Sequence, residues 1–241
     1  MKKFFSNAMI LLVVYTVGPA IRTVFLFFKW IGKIKIANQE IPRLEPGAIV
    51  IANHPDLLDC MFEIFLVPAI FFPQIALHPL RLAPYFTPDR RNFTDKWWWA
   101  WLRPMAISVD RSKEHGGVRE ARKMLDTASE HKRVMMLLPE GGRTCTGKIF
   151  RWSRSKRKKI RDLKRSVGWL ISRTQAPVLT MWLENGNPPD QPAKRLFSWP
   201  SFKRGPILVR LGKFMQFSRE DDSVQITDKI ANNLLELADQ G

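Results

Sequence analysis

Apolar residues along the chain fall into short runs separated by polar, proline-bearing or glycine-bearing turns. Short continuous apolar runs predict strands that are covered on both faces, and apolar residues three and four apart predict helices. Strands are predicted at 35–41, 48–52, 106–109, 134–138, 177–183 and 207–211. Helices are predicted at 57–68, 118–131, 163–174 and 222–238, the first of them ended by Pro68. Alternating strands and helices predict an α/β layered fold.

The first 36 residues have a different pattern. Two apolar runs are separated by Gly18-Pro19 and Arg22, lysines flank them, and no acidic residue occurs before Glu40. The segment is interpreted as a transmembrane helix or as a helix–break–helix pair in the membrane interface. These two interpretations are preferred to a cleaved signal peptide and to a buried core helix. We therefore divide the chain into an N-terminal membrane-associated helical segment, 1–36, and a main domain, 37–241.

Two stretches between the predicted elements are distinctive. Residues 71–95 contain four prolines and are predicted to be irregular. The segment from Lys96 to Trp101 contains four tryptophans, which favour either a membrane interface or a tightly packed helix.

Composition narrows the class of protein. Of the 241 residues, 45% are hydrophobic, which excludes a disordered chain. The net charge of +17 predicts an anionic partner such as a membrane face, a phosphate-bearing substrate, an acidic protein or nucleic acid. Residues 148–165 contain ten Lys or Arg and one acid, and are either a solvated face or a contact surface. The two cysteines predict no disulfide framework, and no zinc-ligand spacing is present.

Candidate chemistry begins where the 48–52 strand meets the following helix. His54 lies in that turn, Asp56 is a possible N-cap, and Asp59 then falls at the third helical position, from which its carboxylate can reach back to the imidazole. A carboxylate that fixes the imidazole tautomer raises its basicity, so His54 could take a proton from a hydroxyl nucleophile. The alternative is an ordinary loop histidine beside a helix-start aspartate.

Two further strand ends carry charged residues. Asp110-Arg111 follows the 106–109 strand, and Glu140 to Thr144 follows the 134–138 strand. In open α/β sheets, sites form at the carboxyl ends of strands, and arginine suits phosphate because its planar fork binds two oxygens. Together these ends predict a site that activates a hydroxyl beside an anion, although each arginine alone could be a surface charge.

At these residues the chain resembles the glycerolipid acyltransferase family, which contains bacterial 1-acylglycerol-3-phosphate acyltransferase. The resemblance rests on an N-H-x4-D block, an I-D-R-like block, a P-E-G-x-R-[ST] block and an apolar strand that begins with proline. They correspond to Asn53–Asp59, Val109–Arg111, Pro139–Thr144 and Ala176–Val178. The order and spacing match over roughly residues 30 to 215. The resemblance implies a mixed central sheet flanked by helices, with the N-terminal segment as membrane anchor.

The resemblance also implies roles for individual residues. His54 would be the general base that deprotonates the acceptor hydroxyl, and Asp59 would orient it. Arg111 and Arg143 would hold the acceptor phosphate, and Glu140 would brace the site. Gly141 and Gly142 would shape the turn that receives the acyl carbonyl or phosphate, and Thr144 would belong to the substrate-binding residues.

The implied reaction moves a fatty acyl group to a lysophospholipid hydroxyl, lysophosphatidic acid becoming phosphatidic acid in phospholipid biosynthesis. No metal or other cofactor is implied, and acyl-CoA or an acyl carrier protein thioester would be the co-substrate. Anionic lipids would be partners at the cytoplasmic face of the cell membrane. Asp56 and Gly142 depart from the usual serine and threonine, and the basic stretch 147–161 is unusually long, so glycerol-3-phosphate or another lysolipid stays an alternative acceptor. The alternative of another class is a nucleic-acid-binding protein, although no nucleic acid is expected.

Overall fold

The computed structural model describes residues 2–54, 59–88, 95, 97–109, 116–131, 133–140, 149–184 and 206–240. Its strands are β1 (Ile34–Ile36), β2 (Ile49–Ala52), β3 (Met135–Leu137), β4 (Phe150–Trp152), β5 (Lys159–Arg161), β6 (Val178–Glu184) and β7 (Ile207–Met215). Its helices are α1 (Lys2–Trp30), α2 (Asp59–Ile70), α3 (Phe72–Leu77), α4 (Pro79–Leu82), α5 (Gly116–His131), α6 (Ser166–Thr174), α7 (Ser223–Asp239) and a 3-10 helix, Trp97–Met105.

Five of these strands form a mixed sheet in the order β1-β7-β6-β2-β3. The pairs β1–β7, β2–β6 and β2–β3 are parallel, whereas β6–β7 is antiparallel. Beyond β3, Tyr85 makes a single parallel bridge to Met135. The predicted mixed sheet flanked by helices is confirmed.

Both faces of the sheet are buried, which explains why its strands are almost wholly apolar. Within β2, Val50 and Ala52 belong to one hydrophobic cluster, and Ile49 and Ile51 belong to the other. The first cluster includes the inner row of α1 and residues of α2, α3 and α4. The second includes the buried residues of α6 and α7. The sheet therefore divides the molecule into an α1 side and an α7 side, names that we keep below.

The basic stretch forms a β-hairpin that the sequence did not predict. Strands β4 and β5 pair antiparallel, with Phe150 opposite Arg161 and Trp152 opposite Lys159. Ile160 is fully buried in the cluster on the α7 side, and Arg151 forms an ion pair with Asp228 of α7. The hairpin therefore lies on the α7 side of the sheet.

The predicted break in the N-terminal segment is wrong, because α1 continues through Pro19 as one 29-residue helix. A proline inside a helix removes a hydrogen bond and costs about 3 kcal/mol. Here α1 packs along its length against α2, α3, α4, β1 and the 3-10 helix, and it buries Ile10, Val13 and Val14 before the proline and Phe25 after it. Burial on both sides of the proline offsets the local cost.

Other prolines are also placed differently from the prediction. Pro68 lies inside α2 rather than ending it, although α2 stops two residues later. Residues 71–95 were predicted to be irregular, yet Pro73 and Pro79 lie in the first turns of α3 and α4. A first-turn proline loses no intrahelical hydrogen bond and has a preset φ, so it starts a helix as readily as it ends one.

Three predicted strands differ in extent. The strand predicted at 35–41 is confined to Ile34–Ile36. Ala106 makes one isolated bridge to Phe86 instead of forming a regular strand at 106–109. Conversely, β7 continues past Gly212 to Met215. A Cβ on Gly212 would lie 2.3 Å from Thr180 Oγ1, so this glycine is a point of close approach between neighbouring strands rather than a strand terminator. The last helix, α7, is capped by Asp222, which accepts a hydrogen bond from Val224 N–H at 3.1 Å.

Candidate active site

The carboxyl ends of β2, β3 and β6 meet at one edge of the sheet because these strands run parallel. His54 follows β2, Glu140 follows β3, and Glu184 is the last residue of β6. The sequence prediction that charged strand ends share an edge therefore holds for His54 and Glu140. Glu184 is an additional carboxylate that the motifs did not indicate.

Asn53 holds the end of β2 against β6. Its amide Nδ2 donates to the Leu183 carbonyl at 2.8 Å, and its Oδ1 accepts from Leu183 N–H at 2.6 Å. The side chain thus imitates a backbone peptide and continues the parallel ladder one step beyond the strand. Only 2% of Asn53 is exposed, so both bonds are shielded from competing water. This places the next residue, His54, at a defined position.

Glu140 fixes the backbone of His54. Its Oε1 accepts from His54 N–H at 2.7 Å, and its Oε2 accepts from Arg161 N–H at 2.8 Å. Glu140 is 2% exposed, and a buried carboxylate requires such charge-assisted bonds. One carboxylate therefore joins the end of β2 to the base of the β4–β5 hairpin. The bracing role implied for Glu140 has a concrete geometry here.

His54 is itself 4% exposed, so its imidazole lies in an environment with little water. The Glu140 bond is made to the backbone amide of His54 and not to its imidazole. The side chain of Asp59 lies outside what the structure describes, although its backbone begins α2. The predicted His54–Asp59 pair therefore stays a prediction. Other predicted residues also lie outside the described residues, namely Asp56, Arg111, Gly141, Gly142, Arg143 and Thr144.

A network of charged side chains surrounds Glu184 beside this edge. Arg210 of β7 donates to Glu184 Oε2 at 3.2 Å, and Lys158 of the hairpin forms an ion pair with Oε1. Burial would raise the pKa of Glu184, but the hydrogen bonds and charges of Lys158 and Arg210 outweigh it and hold the pKa below its usual value. The network ties the hairpin to β6 and β7. The sequence did not predict this network, because its members belong to separate segments that no motif connects.

An apolar pocket lies on the α1 side. It is lined by Val17 and Gly18 of α1, Phe65 and Pro68 of α2, and residues of α3 and the 3-10 helix, and its lining is almost entirely nonpolar. Its space, part of which is open to solvent, is about 450 Å³. Since α2 begins five residues after His54, the same helix that follows the site lines this pocket.

The described residues contain no group of three or more His, Cys, Asp or Glu that could hold a metal ion. The arrangement instead offers a buried imidazole at a sheet edge, basic side chains nearby and an apolar pocket. Such a set suits proton transfer to or from a substrate that has both a charged and an apolar part.

Comparison with protein families agrees with this chemistry. The family model described as Acyltransferase matches residues 33–184, well over half of the chain. The chain belongs to the acyltransferase family. The match includes His54, Asp59, Arg111 and the whole block from Glu140 to Thr144, and it ends at Glu184. The glycerolipid acyltransferase resemblance seen in the motifs is thereby confirmed, and the protein is an enzyme of that class.

A solved structure shares the fold. The crystal structure of the 1-acyl-sn-glycerophosphate (LPA) acyltransferase PlsC from Thermotoga maritima superposes with a TM-score of 0.57 and 17% sequence identity. The alignment covers 98% of this chain and 90% of the Thermotoga chain. At that identity the likeness establishes the fold, which extends over nearly the full length of both chains. The comparison with curated protein sequences gives no significant match.

Proposed function

We propose that this protein is a membrane-associated O-acyltransferase that moves a fatty acyl group from an acyl thioester to the free hydroxyl of lysophosphatidic acid, giving phosphatidic acid. The observation that carries the proposal is the buried His54, which Glu140 holds by its backbone at the carboxyl edge of the sheet of an acyltransferase-family protein. The acceptor named for the Thermotoga enzyme, which shares the fold, supports lysophosphatidic acid over other hydroxyl acceptors.

The proposed reaction needs one base and one oxyanion site. The His54 imidazole takes the proton of the acceptor hydroxyl as its oxygen attacks the thioester carbonyl carbon. The tetrahedral oxyanion collapses, the carbon–sulfur bond breaks, and the imidazolium returns its proton to the departing thiolate. Proton transfer of this kind contributes about 10²–10⁴-fold in rate. Backbone N–H groups near the Gly141-Gly142 turn are proposed to stabilise the oxyanion.

The phosphate of the acceptor is assigned to Arg111 and Arg143. Both follow strand-end motifs in the same chain order as the family blocks, and a guanidinium can bind two phosphate oxygens at once. The net charge of +17 would draw an anionic substrate toward the protein from the surrounding solution.

The apolar pocket is proposed to receive an acyl chain. Its walls come from Val17, Gly18, Phe65 and Pro68 together with neighbouring apolar side chains, and an alkyl chain gains about 0.8 kcal/mol for each CH₂ group removed from water. A Cβ added at Gly18 would lie 2.5 Å from the ring of Phe72, which also lines the pocket, so a larger residue at position 18 would narrow it.

The α1 helix is proposed to lie in the membrane interface rather than to span the bilayer. By length and composition, residues Phe4–Trp30 could cross a membrane. However, Ile10, Val14 and Phe25 belong to the same hydrophobic cluster as strand residues of the sheet, so a spanning α1 would pull the domain into the bilayer. The opposite row of α1 is apolar and exposed, with Phe4, Leu12, Phe27 and Trp30 between 52% and 81% exposed.

The experiment that tests the proposal is an acyl-transfer assay on purified protein in detergent. Lysophosphatidic acid is supplied with acyl-CoA and, separately, with an acyl carrier protein thioester. The wild type is compared with His54→Ala and His54→Gln. Both variants keep the backbone N–H that Glu140 binds, so the fold should be retained, and we expect phosphatidic acid formation to fall about 10²–10⁴-fold.

His78→Ala is the matched control, because His78 is exposed and lies between α3 and α4 away from the sheet edge. It should retain wild-type turnover. Wild-type turnover in both His54 variants would remove His54 from the mechanism. Product with glycerol-3-phosphate but none with lysophosphatidic acid would reject the proposed acceptor and leave the family chemistry in place.

A further inference from the structure

The β4–β5 hairpin carries an unusual concentration of positive charge. Between Ile149 and Arg161 the chain contains seven Lys or Arg residues and no Asp or Glu. These residues are Arg151, Arg154, Lys156, Arg157, Lys158, Lys159 and Arg161. Such a group either supports the fold through ion pairs or presents its charge to a partner, and the structure separates the two roles.

Three cations on or next to the strands of the hairpin, namely Arg151, Lys158 and Lys159, are used internally. Arg151 forms ion pairs with Asp162 and Asp228, both at 2.6 Å, and Lys158 pairs with Glu184. The ammonium of Lys159 lies 4.5 Å from the Phe150 ring centroid and 5.2 Å from that of Trp152. These residues hold the two strands together and attach them to α7 and β6.

The cations at the tip of the hairpin have no such role. Arg154, Lys156 and Arg157 are exposed, and none of them forms an ion pair with another described residue. Three like charges within four residues repel one another, so their grouping costs free energy unless a partner neutralises it. The hairpin therefore presents a cationic tip, defined as Arg154, Lys156 and Arg157.

The backbone of this tip is anchored rather than loose. Ser155 donates through Oγ to Asp239 Oδ1 at 2.6 Å, at the end of α7. Lys156 N–H donates to the Ser153 carbonyl at 2.9 Å, and Lys156 has a φ of 55°, in the left-handed region that a tight turn requires. Tip cations that project from a held turn lose less freedom on binding, which favours recognition of a protein surface.

The base of the hairpin leads directly to the candidate active site. Arg161 N–H is bound by Glu140, whose other oxygen binds His54 N–H. A partner that docks on the cationic tip is therefore on the same hairpin that ends beside the proposed general base. This suits a partner that delivers a reacting group to His54.

The hairpin lies on the side of the sheet away from α1. Ile160 packs in the cluster with α6 and α7, whereas the exposed apolar row of α1 lies on the opposite side. With the α1 row on the membrane, as proposed above, the hairpin lies on the other side of the sheet. A soluble partner is therefore favoured over lipid headgroups. The Lys159 ammonium lies over both the Phe150 and the Trp152 rings, so a base that stacked there would compete with these cation–π contacts.

We propose that the cationic tip of the β4–β5 hairpin is the docking surface for an acidic soluble protein, the carrier that brings the acyl group to His54 as a thioester. This inference rests on the proposed function, since it names the donor's carrier for that reaction. It predicts that recognition of a protein-bound donor depends on the tip, whereas recognition of acyl-CoA does not.

The test combines a binding titration with donor kinetics. The tip variant is Arg154→Glu, Lys156→Glu and Arg157→Glu together in the full chain. The control variant is Arg173→Glu, Lys213→Glu and Arg219→Glu together, which changes the net charge by the same amount. All three control residues are exposed, and they lie in α6, in β7 and just after β7. Binding of a bacterial acyl carrier protein in its holo form, without an acyl group, is measured first. We expect the tip variant to weaken binding at least about 10-fold at low salt, with the control close to wild type.

Kinetics then separate the donors. The tip variant should show a KM for the acyl carrier protein thioester raised at least about 10-fold, while its KM for acyl-CoA and its binding to anionic lipid vesicles stay unchanged. Equal losses with both donors, or equal losses in the two variants, would overturn the proposal. A tip variant that loses binding to vesicles or to an RNA oligomer while it keeps carrier binding would also overturn it, and would assign the hairpin to lipid or nucleic acid.

The two proposals can fail separately. Absence of transfer by the wild type with either donor would count against the proposed function, while the titration with the holo carrier would still decide whether the tip binds it. Carrier binding that is identical in the wild type and the tip variant would reject the docking surface even if transfer proceeds as proposed.

Discussion

The two sides of the central sheet are alike on the inside and different on the outside. Toward the sheet, both present tightly packed aliphatic side chains, and β2 sends alternate residues to each. On the outside, α7 exposes Gln225, Lys229, Asn232 and Glu236, whereas α1 exposes phenylalanine, leucine and tryptophan.

The inner faces of both helices are set by packing against the sheet, whereas their outer faces are set by the medium that they contact. An amphipathic helix such as α7 is typical of a surface in water, because its polar row faces outward. The outer row of α1 would be unfavourable in water and suits a lipid interface. His54 lies at the carboxyl edge of this sheet. In the proposed reaction, the lipid acceptor reaches it from the α1 side and the soluble donor from the α7 side.

Among the variants that test this comparison, the largest effect is expected at Glu140, which joins the end of β2 to the base of the hairpin on the α7 side. Glu140→Gln replaces one carboxylate oxygen with an NH₂ group, which cannot accept from the N–H of His54 or of Arg161. A displaced general base costs on the order of 10²-fold in rate, so kcat should fall about 100-fold. Steady-state kinetics measure this, with Glu236→Gln on α7 as an exposed control. Wild-type kcat in Glu140→Gln would show that the bridge is unnecessary for catalysis.

A pair of glycines tests whether the two sides pack equally tightly. A Cβ on Gly168 of α6 would lie 1.9 Å from the Ser223 carbonyl oxygen of α7, and one on Gly18 of α1 would lie 2.5 Å from the Phe72 ring. A backbone neighbour cannot rotate away, whereas a side chain can. Gly168→Ala should therefore cost about 2–3 kcal/mol and lower Tm by about 5–10 °C.

Gly18→Ala should change Tm by less than about 3 °C, because the gain in helix propensity, about 1 kcal/mol, offsets a modest shift of the Phe72 ring. Thermal unfolding in detergent measures both variants. Equal losses in the two variants would mean that α1 is as rigidly packed as α7, contrary to the comparison of the two sides.

Most of the fold could be predicted from the sequence, because apolar runs and their spacing report burial directly. β2, β3 and β6 lie within about a residue of their predicted bounds, as does α7. Several of the errors concern proline and glycine, at Pro19, Pro68 and Gly212. These residues change the cost of a local conformation, and whether packing offsets that cost depends on contacts distant in sequence.

Only those residues of the site that belong to local sequence motifs could be predicted. His54 and Glu140 were identified, and they are brought together by a backbone hydrogen bond. By contrast, the Asn53–Leu183 ladder and the Lys158–Glu184–Arg210 network join residues up to 130 positions apart. Such pairs depend on strand order and register, which the local pattern of residues does not specify.

A smaller effect is expected at the outer surface of α1. Leu12→Ser and Phe27→Ser together remove two side chains that are 55% and 52% exposed. If each contributes about 1 kcal/mol to insertion, partition onto anionic vesicles should fall at least about 10-fold. The matched control is Val224→Ser with Ile149→Ser, two exposed apolar residues on the α7 side. A larger loss in that control would place the membrane on the α7 side.

The smallest effect, and the one with a pH signature, is expected at Glu184. Lys158 and Arg210 hold its pKa below the usual 4.5 despite burial, so the carboxylate stabilises the fold fully above about pH 4.5 and loses that contribution as pH falls through the lowered pKa. Glu184→Gln cannot carry the charge, and it leaves Arg210, 5% exposed, without its ion pair. At pH 7 the variant should be less stable by about 1–2 kcal/mol, or about 3–6 °C in Tm.

Thermal unfolding from pH 7 to pH 3 should show this difference in Tm close as the wild-type carboxyl becomes protonated, because both proteins then lack the charge. A gap that persists undiminished at pH 3 would mean that Glu184 acts through packing or neutral hydrogen bonds, and that charge does not tie the hairpin to the sheet.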